Sequence, residues 1–203
     1  MNETTGSAFD LVERIRRRAP EFLDLFTAET DDAFDTAIDA LLEKLVVHLE
    51  ANRTLYKDLN ENALTSIVVL GLNIPGLSAS QEKYSNGHVD FTIEANHSIP
   101  VRKKLGEAKI YDGPQHYFAG LEQLLGRYST GREGRGVLLV YFRKANIAGL
   151  IQKLRDQMDS ELPLKQQGAT SDHVIKWSFK SVHAHSCGEN LQVGHIGCNL
   201  HTE

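Results

Sequence analysis

Residues 86–111 read NGHVDFTIEANHSIPVRKKLGEAKIY. Asn86-Gly87 is a hairpin dipeptide, because a two-residue turn of this kind needs positive φ at both central positions. After it, Val89, Phe91 and Ile93 alternate with His88, Asp90, Thr92 and Glu94, the period of a half-buried strand. Residues 104–111 read as the next strand, bounded by Pro100 and by the Asp112-Gly113-Pro114 turn. Side chains two apart on a strand share a face, so Glu107 and Lys109 project together. An antiparallel neighbour brings Asp90 beside them. Two carboxylates and an ammonium are therefore expected at one place.

Working upstream, residues 80–84 read as a short strand on the other side of the turn. Residues 35–51 carry Ile38, Leu41, Leu42, Leu45, Val46 and Leu49 at three- and four-residue intervals, one apolar helical face. A further helix starts near Asn60, a good cap, and stops at Asn73-Ile74-Pro75-Gly76. Ala8–Arg18 and Pro20–Phe26 are shorter helical candidates. Downstream, residues 115–128 are helical, with Phe118, Leu121, Leu124 and Leu125 on one face. Gly136–Phe142 (GVLLVYF) is an apolar run of the central-strand kind. Residues 145–158 form an amphipathic helix. Residues 174–182 and 191–200 read as two last strands, in which Trp177 and Phe179 would share a buried face. The expected class is α/β: a helical N-terminal extension (1–54), a core (55–160) and C-terminal strands packing on it (161–203).

Composition bounds the function. The 203 residues suffice for one domain with a real core, and two cysteines are too few for a disulfide framework. No apolar run approaches the roughly 20 residues that span a bilayer, and the N-terminus lacks a signal-peptide core. The expected location is the cytoplasm. The net charge of −5 is unusual for a nucleic-acid binder, but it is unevenly spread. Residues 1–61 hold 14 acidic and 7 basic side chains, whereas residues 101–157 hold 11 basic and 5 acidic. The basic excess coincides with the carboxylate–lysine grouping.

That grouping suits phosphodiester hydrolysis. Two carboxylates can hold Mg²⁺ through hard oxygen ligands and leave positions for water and a phosphate. The metal polarises the phosphate and acidifies bound water, and a lysine orients the nucleophile or stabilises developing charge. The Ala108 carbonyl lies between the two side chains and can add a ligand.

Taken together, Glu61, Gly87-His88-Val89-Asp90, Glu107-Ala108-Lys109, the stretch from Gln123 to Tyr128 and the apolar strand from Val137 resemble the PD-(D/E)xK, restriction-endonuclease-like nucleases. The resemblance covers about residues 55–160 and looks closest to small bacterial members of antiviral or mobile-element type. It implies an αβββαβ core with a mixed central sheet, and an Mg²⁺-dependent nuclease, with Mn²⁺ able to substitute. Asp90 and Glu107 would be metal ligands, with Ala108 and Glu61 as further ones. Lys109 would be the catalytic lysine, and Gln123 would face the site and orient phosphate or water. Val89 stands where many members have proline. The implied partner is nucleic acid, DNA rather than RNA. A free nuclease of this size would endanger its host, so restraint by a regulatory partner or low intrinsic activity is expected; a homo-oligomer is the other partner considered. The competing reading is a nuclease-fold module without catalysis that binds nucleic acid or a protein.

Two weaker groupings remain. Arg127, Arg132, Arg135, Arg143 and Lys144 form the densest basic set, and Arg127, Arg132, Arg135 and Lys144 are candidate phosphate contacts. Their loop, Thr130 to Gly136, lacks the Gly-Lys-Ser/Thr ending of a P-loop. His183, His185 and Cys187 alternate toward the C-terminus, followed by His195, Cys198 and His201. Such residues ligate zinc, but His195 and Cys198 are oddly spaced and no Cys-x-x-Cys pair exists. A histidine-rich hairpin without metal is the favoured reading.

Overall fold

The apolar run Gly136–Phe142 becomes strand β4, and all seven of its residues are buried. Both faces are covered, which is why the run does not alternate. Val137, Leu139 and Tyr141 enter one core cluster, while Leu138, Val140 and Phe142 enter the other. This is a computed structural model. It describes residues 7–84, 88–128 and 132–202, with the backbone alone for 82–84, 88–89 and 127–128. The Asn86-Gly87 turn and the Thr130-Gly131 end of the basic loop lie outside them.

Seven strands form one mixed sheet. The spatial order is β1 (Ser78–Tyr84), β2 (His88–Ala95), β3 (Arg102–Ile110), β4, β7 (Asn190–Asn199), β6 (Phe179–Ala184) and β5 (Ser171–Asp172). β3, β4 and β7 run parallel; the other neighbours are antiparallel. Helices α3 (Asp31–Ala51) and α5 (Glu61–Leu72) supply Ile38, Leu42, Leu64 and Val68 to the core on one face. Helices α6 (Pro114–Gln123) and α7 (Ile147–Glu161) supply Tyr117, Leu121, Leu154 and Met158 on the other. The result is a three-layer α/β fold. A helical pair, α1 (Ala8–Arg18) and α2 (Pro20–Phe26), precedes it, and the short α4 (Arg53–Tyr56) links α3 to α5. Among the described residues, no helix is long and apolar enough to cross a membrane.

Local chemistry sets the helix starts. The Asn60 side chain accepts from the Ala63 N–H at 2.9 Å, as a cap should. Helix α3 begins four residues before the stretch expected from the apolar periodicity, 35–51. The Thr30 hydroxyl caps it by accepting from the Ala33 N–H, and Asp31 and Asp32 favour its positive first turn. Helix α6 stops at Gln123, and the chain continues to Tyr128 as one wide π-type turn.

The C-terminal segment departs from expectation. The strand expected over 174–182 starts only at Phe179. Trp177 has a φ of +55°, a left-handed conformation that a strand does not contain. The chain turns there, so Ile175 packs in the α3–α5 layer and Phe179 in the α6–α7 layer. Trp177 is only partly buried, but it packs against the same α6–α7 cluster as Phe179, without sharing a strand with it. The strand expected over 191–200 is β7, and it lies inside the sheet between β4 and β6.

His183 and His195 are buried, and hydrogen bonding accounts for both rings. The Leu164 carbonyl can only accept, so His183 donates to it from Nδ1. In the neutral ring, His183 Nε2 must then accept, and it does so from the Ser181 hydroxyl at 2.7 Å. Ser181 Oγ in turn accepts from His195 Nε2 at 2.7 Å, which leaves His195 Nδ1 to accept from the Tyr117 hydroxyl. The chain runs one way and fixes both tautomers. His185 and Cys187 lie beyond the end of β6, 3.1 Å apart, with His185 half-buried and Cys187 exposed. The expected alternation of His183, His185 and Cys187 along one strand face does not occur.

Burial holds both His183 and His195 below the ordinary histidine pKa of 6.5. The unfolded chain takes up protons near that pH while the folded chain does not. Stability should therefore fall as pH drops below about 6.5, by about 1.4 kcal/mol per pH unit for each histidine. Glu107 and Glu50, whose pKa values are raised, act in the opposite sense. The clean measurement is a difference: urea midpoints from pH 7 to pH 5 should fall less steeply for His195→Gln than for the wild type. Equal slopes would show that His195 is protonated in the fold.

Candidate active site

The geometry begins where β2 and β3 part. Their ladder pairs Phe91 with Gly106 through Ala95 with Arg102. Beyond Gly106, side-chain carboxylates take over the edge of β3. The Ala108 N–H donates to Asp90 Oδ2 at 2.8 Å, and the Ile110 N–H donates to Glu61 Oε2 at 2.8 Å. Asp90 comes from β2 and Glu61 from the first turn of α5, so three elements meet at one strand edge. N–H and C=O of one strand residue point the same way, which turns the Ala108 carbonyl toward the same gap.

Glu107 and Lys109 share the opposite face of β3 from Ala108, toward α6. The Lys109 ammonium contacts Glu107 Oε1 at 2.6 Å and stands 3.5 Å from Glu61 Oε1 and 3.6 Å from Asp90 Oδ2. One cation thus faces three carboxylates. Asp90, Glu107, Lys109 and Glu61 are brought together as the sequence suggested, with all three carboxylates within 3.6 Å of one ammonium.

Two glycines shape this corner. A Cβ on Gly106 would lie 2.0 Å from the ring of Phe91, its partner across the ladder, so the glycine lets that ring lie over β3. A Cβ on Gly120 would lie 2.8 Å from Cγ of Lys109, so α6 can rest on the lysine's aliphatic stem only with glycine there.

Charge balance is uneven. Burial pushes the Glu107 carboxyl up to about 7; Asp90 and Glu61 add to this, and the hydrogen bond from Lys109 opposes it. Burial pulls Lys109 down, but Glu107, Asp90 and Glu61 outweigh it and hold its ammonium above the ordinary range. With surplus negative charge, the deepest carboxylate carries the strain. Glu107 is 2% exposed, and its Oε2 is buried with no hydrogen-bond partner.

These features bear on whether a divalent cation suits the corner. The donors are all hard oxygens, of the kind Mg²⁺ takes. The surplus carboxylate charge and the orphaned Glu107 oxygen are what such an ion would satisfy. Among the described residues, no three acidic, histidine or cysteine side chains stand in a metal-coordinating array; the carboxylates converge on the Lys109 ammonium instead.

The remaining expected residues lie elsewhere. Gln123 is the last residue of α6, and among the described residues no hydrogen bond or ion pair joins it to the carboxylates or to Lys109. His116, in the first turn of α6, bonds the Ile110 carbonyl at 3.1 Å. Lys144 is exposed, pairs with Asp112 at 3.0 Å and lies over the Tyr111 ring. Arg132 lines a 410 Å³ cleft with Arg102, Lys103 and Lys104, at the far end of β3 from Lys109. The Arg127 side chain lies outside the described residues. Arg143 donates to the Leu59 carbonyl.

Arg135 corrects the phosphate-contact expectation. It is 7% exposed, and both of its terminal nitrogens are taken by Asp39 of α3. Its Nε stands 3.6 Å from Asp35, which pairs with the buried Lys104, and His173 approaches Asp39 at 3.4 Å. This buried charge cluster ties α3 to the sheet. Sequence reasoning missed it, because Arg135 and Asp39 are 96 residues apart.

Comparison with protein-family models, with curated proteins and with solved structures finds no match for this chain.

Proposed function

We propose that the chain is a metal-dependent nuclease of the PD-(D/E)xK type, hydrolysing phosphodiester bonds with DNA as the preferred substrate. The observation that carries this reading is the convergence of Asp90, Glu107, Lys109 and Glu61 at the edge where β2 leaves β3. In support, the run α5–β1–β2–β3–α6–β4 follows the αβββαβ order that the resemblance implies.

Asp90, Glu107 and the Ala108 carbonyl would hold Mg²⁺, with Glu61 adjacent. When bound, the ion polarises a phosphate oxygen and acidifies water. The chain's own groups do the rest. The Ala108 and Ile110 amides hold the Asp90 and Glu61 carboxylates in place through one oxygen each. Lys109, kept protonated by its three neighbours, presents a fixed positive charge to an anionic phosphate. Glu107, whose Oε2 is buried with no hydrogen-bond partner in the chain, has that oxygen left to offer the ion. Helix α6, packed on the lysine stem through Gly120, keeps that side of the corner dry.

The test is direct. Purified chain should cut single- or double-stranded DNA in the presence of Mg²⁺ or Mn²⁺, and chelation by EDTA should stop it. RNA substrates run in parallel establish the preference. Intact single- and double-stranded DNA and RNA, after prolonged incubation with either metal, would overturn the reading.

A further inference from the structure

Helix α1 has an apolar face that the fold leaves uncovered. It contributes no buried residue, and Phe9, Leu11 and Val12 are 71%, 61% and 37% exposed. It packs on α2, and its C-terminal half is strongly basic, with Arg14, Arg16, Arg17 and Arg18. An uncovered amphipathic helix of this kind needs an occupant.

The chain carries a surface of matching character. Between α2 and α3 lies a groove of about 330 Å³ lined by Ala28, Ala33, Ala37 and Ala40, by Thr27 and Thr36, and by the acidic Glu21 and Asp24. On α2, Glu21 and Asp24 lie on the opposite side from Phe22, Leu23 and Phe26, which face α1. Residues 19–35 contain six acidic side chains and no basic one, directly after the four arginines of residues 14–18.

We infer that the occupant is a second copy of this chain, with α1 of each copy seated in the α2–α3 groove of the other. Large apolar side chains on α1 meet a groove lined by small side chains, alanine and threonine, which lets a helix approach closely. Arginines meet the acidic pair, which sets the direction of docking. The exchange is reciprocal, so a two-fold axis closes it and no further copy is recruited. The acidic stretch beside α1 disfavours an anionic bilayer as the occupant. Glu21 already pairs with Lys44 at 2.9 Å, so Asp24 is the better probe of that pair.

The test uses the full chain without substrate, by sedimentation equilibrium from about 1 to 100 µM, the range of micromolar association. The wild type should dimerise. Phe9→Ser with Leu11→Ser should weaken the dimer at least about tenfold, because both side chains are largely exposed in the single copy. Arg18→Glu and Asp24→Arg should each weaken it, and the two together should restore it, since exchanged charges meet again across the axis. A wild type that stays monomeric throughout overturns the inference. So does a dimer indifferent to the α1 substitutions, an additive loss in the charge-exchanged pair, or a monomer that binds vesicles of anionic phospholipid.

Discussion

Lys109→Met should lower phosphodiester cleavage by about 10²-fold or more, the usual cost of removing one fixed stabiliser of developing charge. In the proposed reaction the effect should fall on kcat, because the ammonium would act on the phosphate and not on the remote parts of a nucleic acid. Methionine keeps the stem that α6 rests on, so the fold should survive. Its stability should acquire a new pH dependence. Without the ammonium, Asp90 and Glu61 act unopposed on a buried Glu107 carboxyl that already stands near 7. A carboxyl whose folded pKa is raised stabilises the fold at low pH and loses that contribution as pH rises through the raised value. Lys109→Met should therefore melt near the wild type at pH 6 and below it at pH 8. Glu107→Gln should lose cleavage without that pH effect, since no charge is left to bury. A Lys109→Met protein that cuts at the wild-type rate on every substrate would remove the lysine from the mechanism.

The largest effect on stability should come from Arg135→Ala. The guanidinium is buried and bonds Asp39 through both terminal nitrogens. Burial pushes the Asp39 carboxyl up, but the bonds from His173 and Arg135 outweigh it and hold it below its ordinary value. Truncation leaves Asp39 and Asp35 without their arginine in a dry layer, at a cost of about 3–5 kcal/mol. For a chain of this size, that is a fall of roughly 10 °C in the thermal midpoint. The companion Arg135→Met with Asp39→Leu removes both charges together and should recover most of the loss. If Arg135→Ala melts within a degree or two of the wild type, water reaches the cluster and the ion pair does not hold α3 to the sheet.

How much was legible in the sequence varies with the range of the interaction. The grouping of Glu107 with Lys109 follows from the two-residue strand period, and Asp90 joins them through its antiparallel neighbour; these are local rules that tertiary packing did not override. The Gly136–Phe142 strand was equally plain, because burial on both faces leaves a continuous apolar run. Arg135 was not legible. Its charge suggested a phosphate contact, and nothing in its surroundings points to an aspartate in a helix near the other end of the chain. Trp177 failed for a different reason. The alternation of residues 174–182 is real, but one left-handed residue interrupts it, and a side-chain pattern does not report φ. Placing β7 between β4 and β6 was also out of reach, because strand order depends on how the layers pack.

An open sheet exposes backbone donors and acceptors on its outermost strands, and such strands invite amyloid-like stacking. Here one outermost strand is β5, only two residues long, with Ser171 and Asp172 both exposed. The other is β1, whose sequence SASQEKY alternates little and holds no run of branched apolar residues. Neither offers a long sticky template to a stranger. Edge-to-edge pairing of copies is therefore disfavoured at both ends of the sheet.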